Sequence, residues 1–252
     1  MNILPALLNQ ITDGQVLDVR LGLHWTAVVV EVKGRRQCGL SASIFPGHLH
    51  KSEPDVPLAG GLDRLSGLDL AEFVLQNEPI LASIGLAALN ALLPRPEYSS
   101  PGANAEDLIA AYGAGKNVVL VGHFPFVPRL RSRVGKLVVL EQNPGSDDMP
   151  ADAAPNVLPS AQVVAITAMT LINHTLESLV SLCPSAEMVM LIGPSTPLNP
   201  RLFDFGIDIL SGVDLTEIDP VLRVVSQGGN FRQVHKAGAR LVNLSRIGMK
   251  KI

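Results

Sequence analysis

The spacing of apolar residues changes within the segment 163–180. Residues 163–166 form an uninterrupted apolar run, which is typical of a strand covered on both faces in a parallel sheet. Apolar residues then recur at helical spacing, at Leu171, Ile172, Leu176, Leu179 and Val180. The pattern predicts a buried strand followed by a crossover helix, with polar residues collected at the carboxyl end of the strand.

Comparable apolar runs recur through the second half of the chain. They predict strands at 118–121, 137–140, 163–166, 188–192 and 207–210, and a weaker strand at 241–244. Asn104 and Asp107 predict the start of a helix that ends at Gly113. Strands that alternate with helical segments are typical of a doubly wound α/β fold with a mostly parallel sheet.

The first half of the chain has a different pattern. Residues 1–12 predict a short helix. The β-branched segment 16–32 and residues 37–44 predict an antiparallel hairpin, with its turn at Gly34.

Two helices are predicted to follow this hairpin. Ser66 with Asp69 resembles a capping box at the start of the first helix. Asn77 is predicted to cap the second, which has one apolar face and is stopped by Pro94. Glu78 lies at the start of this second helix, where the helix dipole stabilises a carboxylate, and it could also face a crevice between two domains.

Proline and glycine mark two irregular segments. The segment 45–62 predicts an ordered functional loop or a mobile flap, and its His48 and His50 fit a solvated loop better than a shared metal ion. The segment 94–102 contains three prolines and is interpreted as a linker. The sequence therefore predicts a smaller α+β domain over residues 1–95 and an α/β domain over residues 104–252.

Composition narrows the classes of protein. The formal net charge is -3 and there is no long Lys/Arg run, which argues against a nucleic-acid partner. The chain has no apolar run of the ~18 residues that a bilayer requires and no signal-peptide pattern at its N-terminus, so we expect a cytoplasmic protein without a membrane partner. Cys38 and Cys183 form no CxxC pair, which predicts buried thiols and argues against a Cys-rich zinc site.

Small, hydroxylated and amide residues follow most of the predicted strands. Because ligands of open α/β sheets bind at the carboxyl ends of the strands, these residues form the candidate site. They are Gly122, His123, Phe124, Glu141, Asn143, Thr167, Thr170, Asn173, Pro194, Ser195, Thr196, Ser211 and Gly212, to which Glu78 is added from the first domain.

Two features of the strand ends bear on a cofactor. Gly122 is followed by His123 and Phe124 and not by a GxGxxG pattern, which disfavours ordinary NAD binding. Glu141 lies 19 residues after Gly122, where Rossmann proteins place an acid against ribose hydroxyls. The strand ends are therefore compatible with a nucleoside or S-adenosyl-type ligand.

A divalent metal ion is a further candidate ligand. His123 and Glu141 follow predicted neighbouring strands, which lie ~4.8 Å apart in a parallel sheet, so both side chains could reach one ion. His123 could equally act as a general base. Arg129, Arg131 and Arg133 could bind a carboxylate or phosphate, although a solvated helix face is the favoured explanation.

With these residues in view, the second half resembles a bacterial and archaeal family called the putative heavy-metal chelation domain. The resemblance spans about residues 105–240 and rests on VAITAMTLIN at 164–173, LIGPSTPL at 191–198 and FGIDILSG at 205–212. The first domain is similar to the enolase N-terminal domain through GLAALNA at 85–91. Ala168 stands where the family pattern has glycine.

The resemblance implies a Rossmann-like α/β domain, preceded by a smaller enolase N-terminal-like α+β domain, with one site formed by both. We expect the protein to bind a small anionic or metal-bearing ligand in the crevice between them. The alternative is a transferase-like enzyme that uses a nucleoside or S-adenosyl-type cofactor. Direct chelation by thiolates is disfavoured, because two separated cysteines are too few for a soft-metal site. The sequence leaves the ligand, catalysis and self-association into a homo-oligomer open.

Overall fold

A computed structural model describes residues 2–45, 56–95, 100–101 and 104–246. Its α-helices are α1 (Ile3–Leu8), α2 (Gly67–Glu72), α3 (Pro79–Leu92), α4 (Ala105–Gly113), α5 (Val127–Leu130), α6 (Ala154–Val157), α7 (Leu176–Ser181), α8 (Ile218–Ser226) and α9 (Phe231–Ala237). Its strands are β1 (Gln15–Leu21), β2 (Trp25–Val32), β3 (Arg35–Ala42), β4 (Ser100–Pro101), β5 (Asn117–Val121), β6 (Lys136–Glu141), β7 (Met149–Pro150), β8 (Val163–Thr167), β9 (Met188–Ile192), β10 (Ile209–Leu215) and β11 (Ala239–Ser245). Short 3-10 helices cover Leu62–Arg64, Phe73–Leu75, Ala151–Ala153, Leu158–Ser160, Ala168–Leu171 and Pro200–Phe205.

The first part of the chain forms an antiparallel sheet in the order β1-β2-β3, here called the small sheet. The predicted hairpin between β2 and β3 is confirmed. Lys33 and Gly34 both have positive φ, 51° and 72°, as a tight hairpin turn requires. The segment 16–32, predicted as one strand, is divided at Gly22, where a Cβ atom would lie 2.1 Å from the Val225 carbonyl oxygen. The chain turns where its backbone approaches α8.

The helix α3 is the centre of the first part of the chain. The prediction of a single apolar face is wrong, because α3 is buried along nearly its whole circumference between the small sheet and α2. Pro79 occupies its first turn, and Glu78, not the predicted Asn77, is the N-cap residue. Proline supplies a pre-set φ at this position, so the helix begins without a side-chain cap. Ser66 does cap α2, with its Oγ accepting from the Asp69 N–H at 3.1 Å, as predicted.

The remaining strands form a mostly parallel sheet, here called the large sheet, which confirms the predicted α/β class. Its order across the described residues is β4-β11-β10-β9-β8-β5-β6-β7. The strands from β10 to β7 in this order run parallel, whereas β11 is antiparallel to β10, and β4 to β11. The short edge strands β4 and β7 were not predicted, because two-residue strands carry no periodic signal.

The strand predicted at 207–210 begins and ends later than expected. β10 continues through Ser211 and Gly212, which were predicted to lie beyond the strand's end. Its parallel pairing with β9 stops at Ser211, but antiparallel pairing with β11 extends over all seven of its residues. The backbone hydrogen bonds of that second neighbour keep the chain extended.

The crossover predicted after β8 is not one continuous helix. A 3-10 turn over Ala168–Leu171 is followed by His174 with φ of 58°, and α7 starts only at Leu176. Histidine tolerates this left-handed conformation better than a β-branched residue does. His174 Nε2 lies 2.8 Å from the Val74 carbonyl oxygen, so the interruption joins the crossover to the first part of the chain.

Apolar and aromatic contacts help to fix the small sheet against the second part of the chain. The face of β2 and β3 opposite α3 packs on α8 and α9, in a cluster that includes Val29, Leu40 and Val221. Trp25 stacks obliquely on Phe231, with ring centroids 5.7 Å apart. Across the described residues, none of the helices combines the length and apolar character needed to cross a lipid bilayer.

Candidate functional site

A cavity of about 320 Å³ opens beside the carboxyl ends of the parallel strands. This volume lies within the usual range for small-molecule pockets. The lining residues are Asn104, Ala105, Glu106, Phe124, Pro125, Phe126, Arg129, Ile192, Gly193, Pro194, Ser211, Gly212, Phe231 and Leu241. We call this cavity the aromatic pocket. Its lining residues come from the second part of the chain, so it lies on the large sheet and not between the two sheets.

The floor of the aromatic pocket is formed by side chains of adjacent strands. Ile192 on β9 and Ser211 on β10 are register partners, and Leu241 lies on β11. Ser211 is 7% exposed and is the hydroxyl of this otherwise apolar floor. The floor therefore offers a flat surface with one polar point.

Three phenylalanine rings form the walls. Phe124 and Phe126 stack nearly parallel, with centroids 5.1 Å apart and planes 10° from each other. Phe231, from the first turn of α9, stands on the other side with Trp25 behind it. Aromatic walls of this kind favour flat, weakly polar ligands, because stacked and edge-on ring contacts add to burial of apolar surface.

Gly122 determines where Phe124 can lie. Its φ of 102° belongs to the left-handed region, and a Cβ atom there would lie 3.0 Å from the Thr167 side chain. The Phe124 ring is 3.6 Å from the same point. Glycine at this turn thus allows the chain after β5 to bend tightly and place the ring at the pocket, and no phosphate cradle is needed to explain it.

The charged groups at the rim neutralise one another. Arg129 donates two hydrogen bonds to Glu106, at 3.1 and 2.6 Å, and Arg133 contacts the same carboxylate at 3.3 Å. The hydrogen bond from Arg129 is the largest cause that holds the pKa of Glu106 below its ordinary value. Arg131 donates instead to the Asp147 carbonyl oxygen. Arg133 also donates to Asp107 at 2.8 Å, so two carboxylates balance Arg129 and Arg133.

The turn 193–196 forms one edge of the pocket and also meets the small sheet. Ser195 Oγ accepts from the Ala42 N–H at 2.8 Å, and Asn90 Nδ2 donates to the carbonyl oxygens of Ser195 and Leu40, both at 3.0 Å. Ser195 and Thr196, both buried, therefore face away from the aromatic pocket. Pro194 lines the pocket on one side and a smaller interface cavity of about 40 Å³ on the other.

Glu141 ends β6, which lies on the opposite side of β5 from β8 and β9, and His123 follows the end of β5; neither residue lines the aromatic pocket. The Glu141 carboxylate accepts backbone hydrogen bonds from His123, Gln142 and Asn143, at 2.8, 2.8 and 3.4 Å. These three donors hold the loop that follows β6. The carboxylate that was considered for a ribose therefore already organises its own backbone.

The His123 ring pairs with a carboxylate that was not singled out from the sequence. His123 Nδ1 lies 2.9 Å from Asp148 Oδ2, and the Asp148 side chain is only 3% exposed. The Gly145 N–H donates to the same carboxylate at 3.1 Å. Because a carboxylate accepts, it favours a proton on Nδ1 and leaves Nε2 as the ring's acceptor nitrogen.

The remaining predicted residues are not brought to the aromatic pocket. Thr170 donates to the Thr167 carbonyl oxygen at 2.6 Å and lines a separate cavity of about 140 Å³ beside α1. Thr167 Oγ1 accepts from the Met169 N–H, and Asn173 Oδ1 accepts from Thr175. Glu78 is exposed at the start of α3, and Asn143 is exposed after β6. These residues mainly shape local turns.

The two thiols are poorly suited to metal binding. Cys38 and Cys183 are free and buried. Burial raises the pKa of Cys38 to about 12 and that of Cys183 to about 11, so both remain protonated at neutral pH. Among the residues that the structure describes, no group of three or more His, Cys, Asp or Glu side chains is placed to hold a metal ion.

Sequence reasoning identified part of the aromatic pocket and missed its remaining walls. Phe124, Pro194, Ser211 and Gly212 were predicted and do meet there. The strand ends gave no signal for Phe126, Phe231 or Leu241, because they come from elements that sequence periodicity does not place next to one another. Phe231 carries one available signal, since it directly follows the helix-capping residue Asn230.

The fold and the pocket together define an α/β protein with an antiparallel sheet packed beside a mostly parallel one and a ligand-sized cavity at strand carboxyl ends. The chain belongs to the DUF364 family, described as "Putative heavy-metal chelation", whose sequence profile matches residues 104–243. A second profile with the same description, DUF4213, matches residues 5–93.

Solved structures of two family members resemble this chain. A protein of unknown function from Desulfitobacterium hafniense is 27% identical with a TM-score of 0.82, over 97% of this chain and 98% of that one. One from Pyrococcus horikoshii is 20% identical with a TM-score of 0.78, over 96% and 97% of the two chains. An uncharacterised protein of Methanocaldococcus jannaschii is 24% identical over 218 residues, 83% of this chain and 82% of its own length.

Proposed function

We propose that this protein binds a small organic molecule with a flat, largely apolar body in the aromatic pocket. The observation that carries the proposal is the union of three phenylalanine rings with a flat strand floor at the carboxyl edge of a parallel sheet. This edge is where α/β proteins of many kinds bind ligands.

The family description is compatible with this proposal if the metal arrives within the ligand. Protonated, separated thiols do not form a soft-metal site, whereas aromatic walls can hold the organic part of a metal complex. The expected anionic character finds less support, because Glu106 already occupies Arg129 and Arg133. A charged group on the ligand is better accommodated outside the pocket.

A bicyclic aromatic probe tests the proposal. We expect 2-naphthol to bind one molecule per chain, and Phe124→Ala to weaken this binding at least about ten-fold, because the substitution removes a stacked wall. Equilibrium dialysis with absorbance detection gives both dissociation constants. Phe45→Ala is the matched control, since Phe45 is exposed and does not line the pocket. Equal affinity of wild type and a folded Phe124→Ala variant would rule out this pocket as the binding site.

A second candidate function is weak binding of a single divalent ion at His123. It is favoured by the Asp148 contact, because metal-binding histidines commonly donate their other ring N–H to a carboxylate. With few neighbouring ligands, the site would be weak and completed by water.

The metal candidate gives a separate expected result. Zn²⁺ titration of tag-free protein should show weak binding that is lost in His123→Ala and weakened about ten-fold in Asp148→Asn. A Cys38→Ser, Cys183→Ser double variant, checked for folding by circular dichroism, should bind as wild type does. Stoichiometric metal that disappears only with the cysteines would restore thiolate chelation instead.

Two finer interpretations also remain proposals. The large sheet fits a Rossmann-like unit in its parallel order, and the first part of the chain fits the enolase N-terminal-like unit suggested by residues 85–91. A transferase-like enzyme with a nucleoside or S-adenosyl-type cofactor is less favoured, because the Glu141 carboxylate is engaged by backbone donors.

A further inference from the structure

The floor of the aromatic pocket contains the hydroxyl of one buried residue, Ser211. Ser211 is 7% exposed, and its Oγ has no hydrogen-bond partner among the residues the structure describes. Its backbone is satisfied, since the Ser211 carbonyl oxygen accepts from the Gly193 N–H at 3.0 Å. The side-chain hydroxyl, in contrast, is left without a partner among the described residues.

Strand geometry places this hydroxyl at the pocket. Successive residues of β10 alternate between the two faces of the large sheet, so Ser211 shares a face with Ile209. Ile209 belongs to the apolar cluster that includes Ile192, and Ser211 pairs in register with Ile192. Asn243, a second buried polar residue, lies directly across on β11. The polar point therefore lies among apolar floor residues and faces the cavity.

A hydroxyl at such a place is available to a ligand, because none of the described protein groups pairs with it. A ligand that fills the pocket displaces the water that could otherwise hydrate this hydroxyl, so a ligand without a polar group there would leave the hydroxyl unpaired. Elsewhere, the buried hydroxyls of Ser41, Ser83 and Thr170 donate to carbonyl oxygens of their own or neighbouring turns. Among the described residues, the buried Thr196 hydroxyl also has no partner, but of these two only Ser211 lines the aromatic pocket.

The size and charge of the pocket restrict the partner. A cavity of about 150 Å³ is known to hold benzene, so 320 Å³ suits a body of about two fused rings. The Arg129 and Arg133 guanidinium groups at the rim are already paired with the carboxylates of Glu106 and Asp107, which leaves neither of them free to balance an ionised group at the floor.

We infer that Ser211 hydrogen-bonds a polar group on the buried edge of the ligand. The ligand class is thus a flat, uncharged aromatic molecule of about two fused rings, with a hydroxyl, carbonyl or ring N–H group at one edge. This inference rests on the proposed function, and it specifies the group that orients the ligand in the pocket.

Three probes of one shape test the inference: naphthalene, 2-naphthol and 2-naphthoate. In wild type we expect 2-naphthol to bind about five-fold more tightly than naphthalene, because one hydrogen bond is gained. 2-Naphthoate should bind more weakly than 2-naphthol, because its charge must be desolvated. In Ser211→Ala the preference for 2-naphthol over naphthalene should fall to one or below, while naphthalene affinity stays within about two-fold.

The controls separate this inference from the proposed function. Ser181→Ala, an exposed serine on α7, should retain all three wild-type affinities. If no probe binds wild type, the proposed function fails. If naphthalene and 2-naphthol bind in a Phe124-dependent manner but the preference survives Ser211→Ala, or if 2-naphthoate binds most tightly, the proposed function stands and the role of Ser211 is overturned.

Discussion

Replacement of Gly39 by alanine should lower the free energy of unfolding by about 3 kcal/mol or more. Gly39 lies in β3 against α3. A Cβ atom there would lie 2.0 Å from the Ala87 carbonyl oxygen and 2.4 Å from the Ala91 nitrogen. Both atoms are backbone, so the contact can be relieved only by moving the helix away from the sheet.

Denaturant unfolding followed by circular dichroism measures this effect. Gly61→Ala is the control, because its nearest non-bonded atoms would be 3.7 Å away, and it should change stability by less than about 0.5 kcal/mol. A Gly39→Ala variant within about 1 kcal/mol of wild type would show that α3 does not approach β3 this closely.

Truncating a buried side chain on either of two opposite sides of α3 should lower the free energy of unfolding substantially. Ile84 and Leu86 are two residues apart, about 200° around the helix, and each is fully buried. We expect Ile84→Ala and Leu86→Ala each to lower the free energy of unfolding by about 2–5 kcal/mol, since each leaves a cavity in a packed core.

If α3 had only one apolar face, the two substitutions would differ in their effect on the free energy of unfolding. One of the two substitutions would then cost less than about 1 kcal/mol, because its side chain would be solvated. Leu75→Ala, at a residue 46% exposed, sets the scale for a weakly buried leucine and should cost clearly less than either α3 substitution. Chemical denaturation of the three variants distinguishes the two arrangements.

The sequence predicted the positions of helices and strands better than it predicted which of their faces are buried. The strand predicted at 188–192 is confirmed residue for residue, because five consecutive apolar residues have few other uses. The same reasoning failed for α3. The alanines at 82–91 and the single glycine, Gly85, look like a weak apolar stripe, but their small size is what admits neighbouring backbones on several sides.

The end of β10 shows a second limit. Ser211 and Gly212 look like a loop because hydroxyl and glycine residues commonly follow strands. They remain in the strand because β11 supplies hydrogen bonds from a distant part of the chain. A local pattern cannot report a partner contributed some 30 residues later.

The sequence predicted the edge of the sheet at which the aromatic pocket lies, but not most of the side chains that line the pocket. The carboxyl edge of the sheet follows from strand order, and four predicted residues line the aromatic pocket there. The walls come from the loop between β5 and α5 and from α9, and part of the floor comes from β11, so their proximity depends on packing. His123 and Glu141 were predicted to share one ion. The Glu141 carboxylate accepts the His123 backbone N–H, and the His123 ring pairs with Asp148, a residue that the sequence did not single out.

The turn 193–196 has a thermodynamic consequence for any ligand of the aromatic pocket. Its Gly193 and Pro194 touch the pocket, while Ser195 fastens β3 through the Ala42 N–H. A ligand that steadies the turn therefore also steadies the docking of the small sheet, and by reciprocity a well-docked small sheet tightens ligand binding to the same degree. Affinity at the pocket is in this sense a property of both sheets, although only one of them lines it.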